Sequence, residues 1–219
     1  EKGNKMSKSL GNVLDANDLL VKNSVDAIRF YFMWKSSPID SLNFSLTEMS
    51  SRPYQVLSTL YYLHVYLIQN SAYDKFDTTK IDLDSILKSK FITLTESWIL
   101  SKLQSLIETV TTSLDNCRFN EGAKAFEEFI INHLSQTYVP MTRDDIWDDN
   151  METLERRYVI YTVLGYTLSL IDIMLHSYCP NITDYLYLLC FKKKDLVILE
   201  SWPNLNTKLI NTEIEVTLD

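Results

Sequence analysis

Glycine and proline are scarce in this chain, 4 and 5 among 219 residues. A loop-rich all-β architecture needs a turn every few residues, so that shortage argues against it and for long helices. Cysteine is scarcer still. Cys117, Cys179 and Cys190 make an odd number with no Cys-x-x-Cys spacing. Neither a secreted disulfide framework nor a thiolate metal site is expected, and a reducing cytosol suits such thiols, so a cytoplasmic protein is expected. Long apolar runs are also missing. The apolar, uncharged stretch around Tyr158 to Ile171 ends at Asp172, short of the roughly 20 residues a membrane span needs. The opening Glu1-Lys2-Gly3-Asn4-Lys5 has no apolar region of a signal peptide behind it and no initiator Met, which reads as a piece cut from a longer polypeptide. Positive charge is in deficit as well, with 21 Lys and Arg against 29 Asp and Glu. A net charge of −8 counts against a general nucleic-acid coat, because phosphate neutralisation needs clustered cations; local basic sites remain open.

What is plentiful is apolar and aromatic surface. With 46% hydrophobic residues, 4 Trp, 13 Tyr and 9 Phe, the chain has the composition of a folded core and not of a disordered one. Asp15 and Ser24 read as caps of two short helices, about 18–22 and 25–34, with Val25, Ile28 and Phe32, joined by Phe30 and Met33, on the buried side of the second. Ser45 with Glu48 suggests a capping box for a helix near 47–69 whose first true turn lies at Ser51 or Arg52, next to Pro53. Tyr54, Leu57, Tyr61, Val65 and Ile68 recur there at helical steps. Residues 70–92 read as a polar surface connection. Thr93 and Glu96 cap a helix carrying Ile99, Leu103, Leu106, Val110 and Leu114 on one stripe. Asn120 caps the next, which carries Ala123, Phe126, Ile130, Leu134 and Thr137 and stops at Pro140. A long helix spans about 149–177, a short one follows Pro180, and Val197 to Leu199 and Thr212 to Leu218 alternate like strands. The fold class is all-α, an antiparallel helical bundle entered through a smaller helical segment.

The sharpest local signal is Lys5-Met6-Ser7-Lys8-Ser9, followed by Leu10-Gly11-Asn12-Val13. Two lysines three apart in a loop of small hydroxyl residues can present two ammonium groups and several backbone N–H donors to a polyphosphate. Lysine serves there as a mobile point charge, and a loop can supply it as pyrophosphate begins to leave. Composition alone would leave a solvated Lys/Ser turn as the better reading.

The order of these residues changes that. Lys5-Met6-Ser7-Lys8-Ser9 resembles, letter for letter, the KMSKS signature of class I aminoacyl-tRNA synthetases. Asp26-Ala27-Ile28-Arg29-Phe30 is similar to that family's A-D-A-L-R segment. Leu42-Asn43-Phe44-Ser45, Trp98-Ile99-Leu100-Ser101-Lys102-Leu103, Ser177-Tyr178-Cys179-Pro180-Asn181-Ile182-Thr183-Asp184 and Glu200-Ser201-Trp202-Pro203 resemble segments of its isoleucine, valine and leucine branch, most closely the isoleucine members. The likeness runs to about Asn204. It implies residues 1–44 as the phosphate loop and helical connection to a catalytic domain, 45–204 as an anticodon-binding helical bundle, and 205–219 as the start of an extension or linker.

The resemblance implies an enzyme that activates an amino acid with ATP, as its Mg2+ complex, to an aminoacyl-adenylate, then passes the acyl group to tRNA. By position Lys5, Met6, Ser7, Lys8 and Ser9 would bind ATP, with Lys8 as the catalytic residue stabilising the transition state. No H-I-G-H-like string is found: His64, His133 and His176 stand singly and read as ordinary helix residues. Catalytic strands, amino-acid pocket and editing domain would lie upstream, so the piece alone is not expected to catalyse. The tRNA anticodon stem and loop would be the bundle's partner, through unstacked bases and phosphates. The stretch Ser135 to Trp147 is similar to a family segment S-R-W-Y-I-R-L-I-R-D-R-L-W, keeping Arg143 and Trp147 but placing Gln136, Pro140 and Asp145 where basic residues are usual. Candidate tRNA contacts are Arg143, Trp147, Arg156, Arg157, Lys192 and Lys193. Against them stand core packing for Trp147, pairing of Arg156 and Arg157 with Glu152 and Asp149 along their helix, and a solvated turn for the lysines. No metal ligands, no membrane and a monomer complete the expectation. The competing reading is a valine or leucine member, or a non-catalytic helical RNA-binding or interaction module, and the phosphate loop favours the enzyme.

Overall fold

Side-chain caps mark where the chain turns helical. The Asp15 carboxylate accepts the Asn17 N–H at 2.7 Å and opens α1 (Ala16–Lys22), and Ser24 Oγ accepts from Ala27 at 3.1 Å and opens α2 (Val25–Lys35). Ser45 caps α3 (Leu46–Tyr73), but only half of a capping box forms. The Ser45 N–H donates instead to the Tyr31 hydroxyl at 2.9 Å, and the Glu48 carboxylate is taken by Lys35. After α4 (Leu83–Ile86), Thr93 and Glu96 make a complete box at the head of α5 (Leu94–Asp115). Next, α6 (Phe119–Glu128) runs without a break through a π-helical stretch, Phe129–Tyr138, into α7 (Val139–Trp147). The remaining helices are α8 (Leu154–Leu175), α9 (Pro180–Phe191) and α10 (Thr212–Leu218). This computed structural model describes residues 6, 7, 9, 11, 13–191 and 196–218, Leu218 by its backbone alone. Among the described residues there is no strand, and the fold is an all-α helical bundle.

The core sits around α8. Nearly every turn of that helix is buried, from Val159 through Leu168 and Ile171 to Leu175. By length and composition Met151–Leu175 could cross a membrane, but 72% of its apolar window is buried in the bundle, so it serves here as the core helix. Around it pack α3, α5, α7 and α9, with α2 and α6 completing the layer on α3 and α5. The stripe expected on α5 is the buried one: Ile99, Leu103, Leu106 and Val110 are all under 5% exposed.

Several expectations are overturned, each for a reason outside the local pattern. On α3 Leu57 is buried as expected, beside Val56, Leu60, Leu63 and Leu67, while Tyr54 and Tyr61 face out, since a buried tyrosine hydroxyl needs a partner whereas an exposed aliphatic side chain loses its burial. On α2 Phe30 is buried as expected, but its buried neighbours are Asp26 and Tyr31, with Val25 and Phe32 exposed. Pro53 lies inside α3 and not before its first turn. Pro140 does not stop its helix either. The preceding π turns widen the spacing, shown by the Val139 N–H donating to the Leu134 carbonyl and Thr137 Oγ1 to that of Asn132, and Pro140 falls where a new α turn begins. The helix expected to begin at an Asn120 cap begins at Phe119, with Arg118 at the cap position and no side-chain bond there.

Residues 70–92 are more than a surface connection. Phe76 stacks on Tyr158 and Tyr161 at 5.2 and 5.6 Å, and Leu83 and Ile86 are buried. Ile81 lies so close to Gly165 that a Cβ there would sit 2.2 Å from its Cδ1, a close approach that this glycine permits. At the far end, Val197–Leu199 is a single turn of 3-10 helix and not a strand. Thr212–Leu218 is helical because Asn211 caps it and Glu215 reaches back to Ser101 and Lys102 on α5. With Trp202 Nε1 on Thr111 at 2.9 Å and the Asn206 N–H on Gln104 at 2.8 Å, residues 202–215 form a strap along α5.

Candidate nucleic-acid interface

Of the proposed phosphate loop, the described residues are Met6, Ser7 and Ser9, with Lys5 and Lys8 outside them. Met6 is exposed, and the Ser7 and Ser9 hydroxyls meet at 2.7 Å. Gly11 has φ +65°, the left-handed region where a side chain would be strained, which gives the loop its exit turn.

The loop reaches the bundle through α2, and one segment of α2 holds the joint. Asp26 is 3% exposed; its carboxylate accepts the Ile182 N–H at 2.7 Å and the Asn181 amide at 2.9 Å. Three residues on, Arg29 donates to the carbonyls of Tyr178 and Ser177 at 3.0 and 3.1 Å. An anion at the first turn of α9 and a cation at the last carbonyls after α8 suit both helix ends. The Asp-Ala-Ile-Arg string and the Ser177 to Thr183 string are thus two halves of one clamp. Asp26→Ala should cost about 1–3 kcal/mol in urea unfolding, the usual range for a lost buried acceptor at a helix start; a change under about 0.5 kcal/mol would refute the clamp.

Two arginines at the head of α8 are built into the core, which corrects their expected place on an RNA surface. Arg157 is 2% exposed and holds Asp74 bidentately at 2.7 and 3.0 Å, with the Asp148 and Asn150 carbonyls and Thr153 Oγ1 taking its other donors. Arg156 bonds Glu96 at 2.7 Å, Asp145 at 2.9 Å and the Phe91 carbonyl at 3.1 Å. Their partners are not Glu152 and Asp149, because the guanidinium groups point inward across the bundle and not along their own helix. Burial pushes the Asp74 carboxyl up, but the bonds from Arg157 and Tyr161 outweigh that and hold it below the usual carboxylate range. Burial, with the Glu96 charge beside it, pushes the Tyr138 hydroxyl well up, so it stays protonated.

Trp147 is not in the core. It is 64% exposed on the last turn of α7, with the Arg143 guanidinium 5.5 Å above its ring. Tyr73, also exposed, donates to Asp149 at 3.2 Å at the same end of the bundle. A second concave feature, of about 490 Å3, lies where α2, α3 and α9 meet and is walled by Tyr54, Tyr61, Tyr62 and Tyr185. Lys192 and Lys193 lie outside the described residues.

Residues 96–218 match the anticodon-binding domain of tRNA ligase, and residues 1–45 match the class I tRNA synthetases for I, L, M and V. The chain belongs to the anticodon-binding domain family of tRNA ligases. It is 28% identical over its whole length to the isoleucine–tRNA ligase of Methanopyrus kandleri, covering 20% of that protein. Against the isoleucine–tRNA ligase of Clostridium tetani the identity is 31% over 99% of this chain and 21% of the relative. The valine–tRNA ligase of Staphylococcus aureus is also 31% identical, over 100% of this chain and 24% of that protein. The chain thus spans between a fifth and a quarter of the length of these relatives. An Agrobacterium radiobacter K84 LeuRS, solved in a ternary complex with tRNA and LeuAMS, shares the fold with a TM-score of 0.70 over 95% of this chain and 23% of that one, at 21% identity.

In this anticodon-binding domain the structure brings Arg143 and Trp147 together and sets Arg156 and Arg157 apart from them as internal supports. The Asp26–Arg29 clamp and the exposed tyrosines of α3 and α9 were missed as functional features. A buried Asp on an otherwise apolar face leaves no periodic signal, whereas Tyr54 and Tyr61 fall on the apolar helical stripe yet face solvent. The three histidines are the ordinary helix residues expected. His64 is buried against Asp172, His133 packs edge-on to Trp98 and Phe129 at 5.7 Å, and His176 Nδ1 meets Thr183 at 3.0 Å.

Proposed function

We propose that this chain is the ATP-phosphate loop and anticodon-binding part of a class I tRNA ligase, specific for isoleucine. ATP, as its Mg2+ complex, and isoleucine give the adenylate and pyrophosphate, and the acyl group then passes to tRNA. Lys5 and Lys8 supply positive charge to the phosphates, Lys8 chiefly as pyrophosphate departs; Met6 packs the loop near the adenine, and Ser7 and Ser9 shape it. The bundle holds the anticodon stem and loop, and the clamp of Asp26 and Arg29 keeps loop and bundle in a fixed relation. The observation that carries this reading is the intact Lys5-Met6-Ser7-Lys8-Ser9 string joined to a domain of the anticodon-binding family. The protein acts as a monomer in the cytoplasm.

In the ligase that carries this chain, Lys8→Ala should lower isoleucine-dependent ATP–pyrophosphate exchange about 100- to 1000-fold, the size of losing one preorganised stabiliser of developing charge. Exchange at the wild-type rate would refute the loop assignment. Residues 1–219 alone should show no amino-acid activation, and detectable activation would overturn the division of labour. The valine relative supports a second reading, a valine-specific ligase with the same parts.

A further inference from the structure

The chain is acidic overall, and Arg143 pairs with no carboxylate among the described residues even though Asp144, Asp148 and Asp149 stand near it in sequence, all exposed. Its guanidinium lies instead over the Trp147 ring at 5.5 Å. We propose that Arg143 and Trp147 form a stacking floor for one unpaired nucleobase of an RNA loop, gripping it by its face and not by its phosphate. The inference rests on the anticodon-binding reading above and names the residues and the contact mode it uses.

Rigidity at this point is built in from below. Asp145, between the two residues on α7, is held by Arg156 at 2.9 Å, and Arg156 is held in turn by Glu96, which is 0% exposed. The acidic residue standing where basic ones are usual therefore fastens the last turn of α7 to α5 and α8. Tyr73 and Asp149, joined at 3.2 Å, tie the end of α3 to the turn that follows Trp147. An exposed indole that is anchored in this way loses little freedom when a flat ligand lands on it.

The neighbouring charges decide which part of RNA it takes. Asp144, Asp148 and Asp149 repel a phosphate, and Gln136, Pro140 and Asp145 leave this stretch without the cations that backbone binding needs. A base is uncharged and presents a π face that an indole and a guanidinium both accept. Carboxylates beside the platform favour a base edge that donates hydrogen bonds over one that only accepts them.

The test is titration of the protein with a hairpin RNA carrying an anticodon stem and loop, and with the same stem closed by base pairs in place of the loop. Binding of the open loop should quench tryptophan fluorescence, and Trp147→Phe should abolish most of that quench while retaining affinity within a few-fold. Trp147→Ala should weaken binding about 10-fold. Arg143→Gln should weaken it too, leaving the slope of log affinity against log salt unchanged, since a lost phosphate contact would reduce that slope by about 1. Trp147 is exposed, so these variants should unfold at the wild-type urea midpoint. Hairpin binding with no effect of Trp147→Ala, with equal affinity for the closed stem, or with a reduced salt slope in Arg143→Gln would overturn the stacking floor and leave the anticodon-binding reading standing. No RNA binding by the wild type at low salt would overturn both.

Discussion

Replacing Arg157 with alanine lowers the stability of the bundle by about 3–5 kcal/mol, the cost of stranding a buried carboxylate whose cation has been removed. For a protein of this size that corresponds to a fall in Tm of about 6–20 °C. The effect comes from the partner left behind. Asp74 is held by two arms of Arg157 at 2.7 and 3.0 Å and by the Tyr161 hydroxyl at 2.7 Å, and with the guanidinium gone only the hydroxyl remains. The double variant Arg157→Met with Asp74→Leu should regain most of the loss, because two apolar side chains can replace a buried pair at little cost. Urea unfolding of the three proteins decides it. A loss below about 1 kcal/mol in Arg157→Ala would mean the pair is solvated and Arg157 is free for another partner.

The bundle is most stable in mildly acid solution and weakens as pH rises above about 6.5, where free histidine loses its proton. His64 and Asp172 are both 0% exposed and meet at 2.9 Å, joining α3 to α8. His64 Nδ1 faces the Leu60 carbonyl at 2.9 Å, so that nitrogen carries a proton. Nε2 faces the carboxylate, so this contact requires a second proton, on the ring or on the acid. Burial opposes a charged imidazole, but Asp172 outweighs it and His64 is raised; burial also raises Asp172, with His64 offsetting it only in part. Both directions say that the folded pair keeps a proton that the unfolded chain releases. A raised folded pKa contributes stability that is fully present below the unfolded value and is lost as pH climbs. The loss grows as pH climbs above the unfolded value, by at most about 1.4 kcal/mol per pH unit. On α9, burial pushes Cys190 and Tyr187 up, and the Asp172 charge adds to it, so neither ionises in that window to mask the effect. Asp74, held low by Arg157, acts with the opposite sign and takes stability away only as pH falls below about 3.9. Urea midpoints across pH 5 to 8.5 should show the alkaline decline in the wild type and not in Asp172→Asn, whose buried His64 instead costs stability below about pH 6.5. A flat wild-type profile would contradict the shared proton.

Where the sequence signal is local, it carries through to the structure. Thr93, Glu96 and the stripe from Ile99 to Val110 lie within one helix, so their spacing alone specifies cap and buried face. The helical class is of the same kind. What was misread depends on partners far away in the chain. Asp26 is buried because residues 181 and 182 need an acceptor, and Arg156 and Arg157 turn inward because Glu96 and Asp74 wait for them. Trp147, heavy and apolar, looked like core, yet α7 ends where its last turn meets solvent, and Arg143 four residues back covers one face of the ring. Thr212 to Leu218 alternates like a strand, but no neighbouring strand exists among the described residues to pair with it, whereas Asn211 and α5 offer a cap and a docking face.

Amino-acid-dependent ATP–pyrophosphate exchange by the ligase that carries this chain, run side by side with isoleucine, valine and leucine and followed by charging of the matching tRNAs, tests the central claim most directly. Exchange and charging with isoleucine, well above the other two, is the predicted result. Exchange with none of the three would contradict the assignment of this loop and bundle to a working tRNA ligase.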